Sequence, residues 1–466
     1  MSMLSTGTAR DTALLLPPGF ELGVATASYQ IEGAVDEDGR GRSIWDTFSH
    51  TPGKVANGET GDVACDHYHR HAEDVALMAD LGVDAYRLSI AWPRLQPEGR
   101  GQALQAGVDF YSRLVDELLE AGITPLVTLY HWDLPQALED VGGWRVRETA
   151  ERFADYAVLV QQRLGDRVSR WITLNEPYCS SVLGYGTGRH APGVRETGSA
   201  LAAAHHLLLG HGLAVEAMRA ASTDAGASYG ITLNLEPVSP LTDSADDREA
   251  AERSLVLSNL LFTDPVLGGS YPAAARDMWP VDYSFLHDGD LAVTSKALDF
   301  LGVNYYFPAR VRYVPYDEAD PGLRRIDDLG AESPVLPGDE VTDMGWPVDA
   351  DGLRRVLRWL HETYPGLPPV LITENGRACA DTPVDGTVDD VERIDYVDAH
   401  LRAVAQAVQE GVDVRGYFHW SLMDNFEWAE GYAKRFGLVH VDYDTQERLP
   451  KRSFGWYREL IAARRR

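Results

Sequence analysis

Cysteine is scarce in this 466-residue chain: Cys65, Cys179 and Cys379 are the only three. So small and odd a count cannot build a disulfide framework and suits a reducing compartment. No Asn-x-Ser/Thr glycosylation acceptor occurs. Long apolar runs are missing too. The early run Ala13–Leu16 is too short for a signal segment and follows Arg10 and Asp11, and nothing approaches the roughly 20 apolar residues of a spanning helix. These absences predict a cytoplasmic protein with no membrane partner. Positive charge is in deficit, with 42 Lys and Arg against 71 Asp and Glu and a formal charge of −29. That balance argues against nucleic acid, whose phosphates need a basic patch.

What remains is the composition of an ordinary globular enzyme, 44% hydrophobic and 24% charged. Eight short β-rich runs recur along it: 20–27, 85–90, 124–130, 170–174, 229–233, 300–305, 370–373 and 415–420. None is joined to the next by a two-residue hairpin turn. Helical patterns fill the intervals. One runs from Asp66, a candidate N-cap, through Tyr68, Val75 and Met78 to Gly82. Others run from Val108 to Gly122 and from Val391 to Gly411. Strand and helix alternating eight times predicts an α/β fold, a single (β/α)8 TIM barrel with extended βα loops. A doubly wound open sheet is the competing architecture, but no G-x-G-x-x-G follows the first strand. Without a composition shift, the whole of 1–466 reads as one domain. Pro308–Asp349, rich in Asp, Pro and Gly, reads as an irregular βα insertion over the active face.

A barrel of this kind places its chemistry at the C-terminal ends of its strands. The fourth strand runs into Thr173-Leu-Asn-Glu176-Pro and the seventh into Ile372-Thr-Glu374-Asn-Gly. A carboxylate at the barrel lip is costly to desolvate unless paired or used. Two of them across one mouth are the working parts of glycoside hydrolysis. Aromatic residues gather at the same lip: Tyr130-His131-Trp132-Asp133, Asn304-Tyr305-Tyr306, Trp420, and Glu427-Trp428. Sugars offer apolar faces to rings and hydroxyl edges to carboxylates and amides. The run His67-Tyr-His-Arg-His71 lacks the Glu of an H-E-x-x-H site and reads as a surface helix rather than a metal site. His205, His206 and His211 read as helix packing. Cys179 lies near Glu176 without a base and orienter of its own, which argues against a thiol nucleophile.

These motifs resemble those of glycoside hydrolase family 1, the β-glucosidase family. Supporting segments run from about residue 18 to 460: Ala27-Ser-Tyr-Gln-Ile-Glu-Gly33, Tyr86–Trp92, Tyr130–Pro135, Asn304–Tyr306, Trp420–Trp428 and Lys434–Leu438. The resemblance implies a retaining exo-β-glycosidase that releases terminal β-D-glucosyl residues from β-glucosides and cello-oligosaccharides, and so a part in cellulose degradation. Glu374 would be the nucleophile and Glu176 the general acid and then base, with Arg87 and Tyr306 as partners of the nucleophile. Gln30, His131, Trp132, Asn175, Glu427 and Trp428 would hold the sugar and Trp420 would stack beneath it. Trp346, in Met344-Gly-Trp346, would face the aglycone. Glu427 would repel a 6-phosphate, so the expected substrate is an unphosphorylated, small-molecule or oligosaccharide β-glycoside. No metal or cofactor is implied, and a homo-oligomer is left open. Arg377 departs from the family pattern, where a small residue is usual, and is expected at the rim of the entrance. A β-galactosidase or β-fucosidase preference within the same family is the alternative. A silent sugar-binding barrel should have lost one glutamate, and a metal-dependent hydrolase lacks ligand pairs.

Overall fold

The computed structural model describes residues 8–315 and 325–465. Its eight barrel strands are β1 Glu21–Ala25, β2 Ala85–Ser89, β3 Thr124–Tyr130, β4 Arg170–Asn175, β5 Ser228–Asn234, β6 Phe300–Asn304, β7 Val370–Asn375 and β8 Val414–Trp420. All neighbours pair in parallel, and β8 returns to β1 through Glu21 opposite Gly416, so the sheet closes. Closure rules out the open doubly wound sheet. The outer helices are α1 His67–Leu81, α2 Gln105–Glu120, α3 Arg147–Leu164, α4 Thr197–Ala221, α5 Ala245–Leu255, α6 Ala350–Thr363, α7 Val391–Gln409 and α8 Arg452–Arg464.

Strand residues alternate between two environments, as a period of two requires. Ala85, Leu126, Ile172, Phe300, Leu371 and Phe418 pack inside the barrel with Ala25. Leu22, Val24, Tyr86, Leu88, Val127, Leu129, Ile231 and Val303 join the larger core beneath the helices. Burying one Leu or Val side chain contributes roughly 1.5–3 kcal/mol, so a one-residue slip in register would invert both layers at once. Toward the C-terminal ends the inward positions become polar. Asn175, Asn304 and Glu374 are buried there, and Arg87 is buried midway along β2.

Helix ends follow the sequence with two corrections. The first helix stops at Gly82, which takes a left-handed φ of 76° and donates its N–H to the Met78 carbonyl. Asp66 does occupy the N-cap, but its own φ is 52° and its side chain caps no backbone N–H. It pairs instead with His69 at 2.6 Å and Arg70 at 3.2 Å. Nor is the His67–His71 run wholly on the surface. His67 is buried and meets Asp74 at 2.7 Å, while His71 meets Glu117 at 2.7 Å.

The insertion from Pro308 to Asp349 is more ordered than its composition suggests. Ala309–Tyr313 lies between Val238–Pro240 and Ala331–Glu332 in a small three-stranded sheet. Residues 316–324 of that insertion lie outside the described residues.

Candidate active site

Strands β4 and β7 share a local irregularity that sets the site. The register of β4 against β5 shifts between Ile172 and Asn175, and that of β7 shifts against both neighbours beyond Ile372. Such shifts re-aim the side chains that follow. Glu176, the first residue past β4, has a left-handed φ of 46° and donates its N–H to the Thr232 carbonyl at 3.0 Å. Trp132 and Trp428 also have positive φ, at 78° and 48°. Three of the ten non-glycine residues with positive φ among the described residues thus stand at one mouth. Behind Glu374 and Asn375, Gly376 is required: a Cβ there would lie 1.8 Å from the Trp420 carbonyl oxygen.

The structure brings the predicted residues together at one cavity of about 310 Å³. His131, Trp132, Glu176, Tyr306, Trp346, Glu374, Trp420, Glu427 and Trp428 line it. Gln30, Arg87 and Asn175 stand behind that wall, all buried. Arg87 lies in the middle of β2 rather than at its end.

The two carboxylates sit in different settings. Glu374 is held by cationic and phenolic donors: the Arg87 guanidinium pairs with Oε1, and the Tyr306 hydroxyl donates to Oε2 at 2.8 Å. Burial and the neighbouring Glu374 push the Tyr306 phenol well above its usual range, so it stays a donor. Glu176 has only neutral donors, Asn304 Nδ2 to Oε1 at 2.7 Å and the Cys179 thiol to Oε2 at 3.1 Å. Burial first, and then the charge of Glu374, raise the Glu176 carboxyl to about 7. The two carboxyls therefore have unequal surroundings, a guanidinium and a phenol for Glu374, burial and neutral donors for Glu176.

A single chain of hydrogen bonds continues from the carboxylate pair. Arg87 Nη2 donates to Asn175 Oδ1 at 2.6 Å, and Asn175 Nδ2 meets His131 Nε2 at 3.0 Å. His131 Nδ1 has no partner among the described residues, and neither has Gln30 Oε1 or Glu427 Oε2. Three buried polar atoms without partners, in or directly behind one cavity wall, are atoms a polar ligand would satisfy. Gln30 itself is fixed by donating Nε2 to Asn425 Oδ1 and the Phe426 carbonyl, both at 2.9 Å. Trp132 spends its indole N–H on the Asn175 carbonyl at 2.9 Å, leaving its ring for contact. Trp420 stacks near His131 with ring centres 5.9 Å apart. Burial, then Glu374 and Glu176, raise Glu427 to about 8.

Sequence reasoning passed over the outer wall of the cavity, where Tyr178, Arg189, His190, Glu236 and Ser258 stand. Glu236 carried a legible signal, since it follows the end of β5 as Glu176 follows β4. Asn304 was named only within its motif, yet it holds Glu176. Arg377 is not at the rim: it is buried outside the cavity wall and ion-paired with Glu340 and Glu392. The reason is charge. Two carboxylates from the surface, Glu340 and Glu392, meet the guanidinium and cover it.

Among known proteins, the family model of glycosyl hydrolase family 1 matches residues 13–466. The chain is 50% identical to a bifunctional β-D-glucosidase/β-D-fucosidase of Bifidobacterium breve, over 96% of this chain and 98% of that one. It is 51% identical to thermostable β-glucosidase B of Thermobispora bispora, over 97% and 92% of the respective chains. The solved structure of a psychrophilic β-glucosidase from Micrococcus antarcticus superposes with a TM-score of 0.93 at 47% identity, covering 98% and 99% of the two chains.

Proposed function

The chain belongs to glycosyl hydrolase family 1, and from that premise we propose that Glu374 and Glu176 cleave terminal β-D-glucosyl groups by two successive displacements. The chain is an O-glycoside hydrolase, and the relatives named above are β-glucosidases. The observation that carries the assignment of roles is the unequal dressing of two buried carboxyls in one cavity. Glu374 faces a fixed cation and a phenol O–H, as a charged nucleophile needs. Glu176 faces neutral donors and is raised to about 7, as a proton donor needs.

In the first displacement, a Glu374 oxygen attacks the anomeric carbon from the face opposite the leaving group. Glu176 gives its proton to the departing glycosidic oxygen. The bond to the aglycone breaks as the ester to Glu374 forms, with carboxyls in such pairs about 5–5.5 Å apart. Esterification removes the charge of Glu374. Only the smaller, electrostatic part of what raises Glu176 then disappears, and burial remains. Glu176, having lost its proton, takes one from water as that water attacks the anomeric carbon and frees Glu374. Two inversions give net retention.

Sugar recognition draws on the partnerless atoms. His131, Gln30 and Glu427 offer a donor, an acceptor and a carboxyl to hydroxyl groups, with Trp420 and Trp428 as the apolar faces. Asn175, already oriented by Arg87 and His131, has an amide hydrogen to spare for the 2-hydroxyl. A sugar 6-phosphate would find one guanidinium among the lining residues, Arg189, and that is already paired with Glu430 at 3.2 Å. That balance supports an unphosphorylated substrate. The match over residues 13–466 supports reading the chain as one catalytic unit. Three buried cysteines without a disulfide fit a cytoplasmic enzyme, and the β-glucosidase relatives support a part in cellulose degradation. Among the described residues no helix is long and apolar enough to cross a membrane.

The test is hydrolysis of 4-nitrophenyl β-glucoside with the first-formed anomer followed by NMR. β-Glucose should appear first, and α-glucose should grow in only by mutarotation. Glu374→Ala should abolish turnover, and Glu176→Ala should slow it by about 10²–10⁴-fold when the leaving group needs a proton. An α product, or normal rates in Glu374→Ala, would refute the roles.

A further inference from the structure

Arg377 stands three residues past Glu374 and is only 5% exposed, yet it does not line the cavity. Its Nη1 pairs with Glu340. Its Nη2 pairs with Glu392 at 2.8 Å and donates to the Val341 carbonyl at 3.4 Å. Glu340 and Val341 begin a tight hairpin. Val348 donates its N–H to the Glu340 carbonyl and Thr342 to the Trp346 carbonyl, both at 2.9 Å. Trp346 lies on the return of this hairpin, with ring centres 5.4 Å from Tyr306 and 4.9 Å from Phe307. Glu392 belongs to the first turn of α7. One guanidinium therefore joins the segment leaving β7, a barrel helix, and the loop that presents Trp346.

We propose that Arg377 is a positioning residue that sets the aglycone side of the cleft by holding the 340–348 hairpin, and with it Trp346, in place against Tyr306 and Phe307. The proposal rests on the glycosidase reading given above. A hairpin this short has no core of its own and depends on outside ties. The planar arginine fork can bridge two carboxylates at once, which a lysine ammonium does poorly. The Glu340 and Glu392 side chains are 64% and 71% exposed. Once the arginine is gone they hydrate freely, and no buried anion is stranded. The barrel stays folded, and the loss falls on the loop. The far side of the hairpin is tied separately, through Asp343 N–H to the Ala378 carbonyl at 3.0 Å and Lys434 to the Asp343 carbonyl at 2.6 Å. The hairpin should therefore shift rather than unfold.

Two substrates with the same glucosyl group separate the possibilities: β-glucosyl fluoride, whose leaving group has no ring, and 4-nitrophenyl β-glucoside. For Arg377→Met, kcat/KM on the aryl glucoside should fall roughly tenfold, through KM. On the fluoride it should stay within about twofold of wild type, and Arg377→Lys should recover part of the loss. In a Trp346→Ala background Arg377→Met should add nothing further, because both act through one ring. An equal fall on both substrates, full additivity with Trp346→Ala, or no change on either substrate would overturn the proposal. Glu340→Gln breaks the same tie from the exposed side, and should show the same split with a smaller loss even if Arg377→Met folds poorly. Wild-type failure to hydrolyse the fluoride with retention would instead count against the glycosidase reading.

Discussion

Replacing Cys179 should move the pH profile of this enzyme in a direction set by one hydrogen bond. The thiol donates to Glu176 Oε2 at 3.1 Å, and Asn304 donates to the other oxygen at 2.7 Å. A donor aimed at a carboxylate stabilises its ionised form and lowers its proton affinity. Burial and Glu374 work the other way and prevail, leaving Glu176 at about 7. The thiol itself is pushed well above its usual range, by burial and then by Glu176, so it remains S–H throughout the working range. Deleting it in Cys179→Ala removes stabilisation from the ionised acid only. Thiols are weak donors, so a loss of about 0.7–1.4 kcal/mol is expected, which is roughly half a pH unit to one unit. With Glu176 as the proposed acid, the alkaline limb of kcat/KM should report loss of its proton in the free enzyme, and it should move to higher pH by that amount. Cys179→Ser, which places a stronger O–H donor at the same point, should move it lower. Rates of 4-nitrophenyl β-glucoside hydrolysis from pH 4 to 9 suffice to measure both. An unmoved limb in both variants, or a shift of the same sign in both, would refute the argument.

Two further outcomes follow from other buried carboxylates. Asp424 is buried beside Lys451 at 2.6 Å and Arg435 at 2.7 Å. Burial alone would raise it, but Lys451 and then His440 and Arg435 more than reverse that, so its folded carboxyl lies below the ordinary range. A depressed carboxylate contributes stability that is whole above the unfolded value near about 4 and lost as pH falls below it. Asp424→Asn should therefore cost about 3 kcal/mol in denaturant titration at pH 7, and the gap from wild type should narrow on acidification. For Glu427→Gln, turnover of a bound aryl glucoside should persist while KM rises, because in the proposed roles Glu427 meets sugar hydroxyls and takes no part in the displacement; a kcat loss as deep as that of Glu374→Ala would contradict that role.

The barrel was legible because its elements are locally determined. Each strand reads as a short apolar, β-rich run, and glycines end the helices that the apolar stripes begin, as at Gly82. The carboxylate pair was legible because strand ends are where such a fold exposes side chains. Residues whose behaviour depends on distant partners escaped. His67 looked like a surface residue until Asp74 and Arg448 enclosed it, with Arg448 reaching Asp74 at 3.0 Å from the far end of the chain. Asp66 looked like a cap because its type is right, but its left-handed backbone aims the carboxylate at His69 and Arg70. Arg377 looked like rim charge because nothing local foretells Glu340 and Glu392. The outer cavity wall came from residues such as Arg189, in a bend, and Ser258, in the irregular turn Val256–Leu260 that continues α5, where no regular period exists to read.

The run from Glu374 through Arg87 and Asn175 to His131 draws on β7, β2, β4 and the end of β3. No single segment can be exchanged with a cousin enzyme without disturbing the others, so recombination that cuts between these staves should yield folded but sluggish chimeras. The outer loops carry none of these bonds, so a swap there leaves that inner wiring untouched.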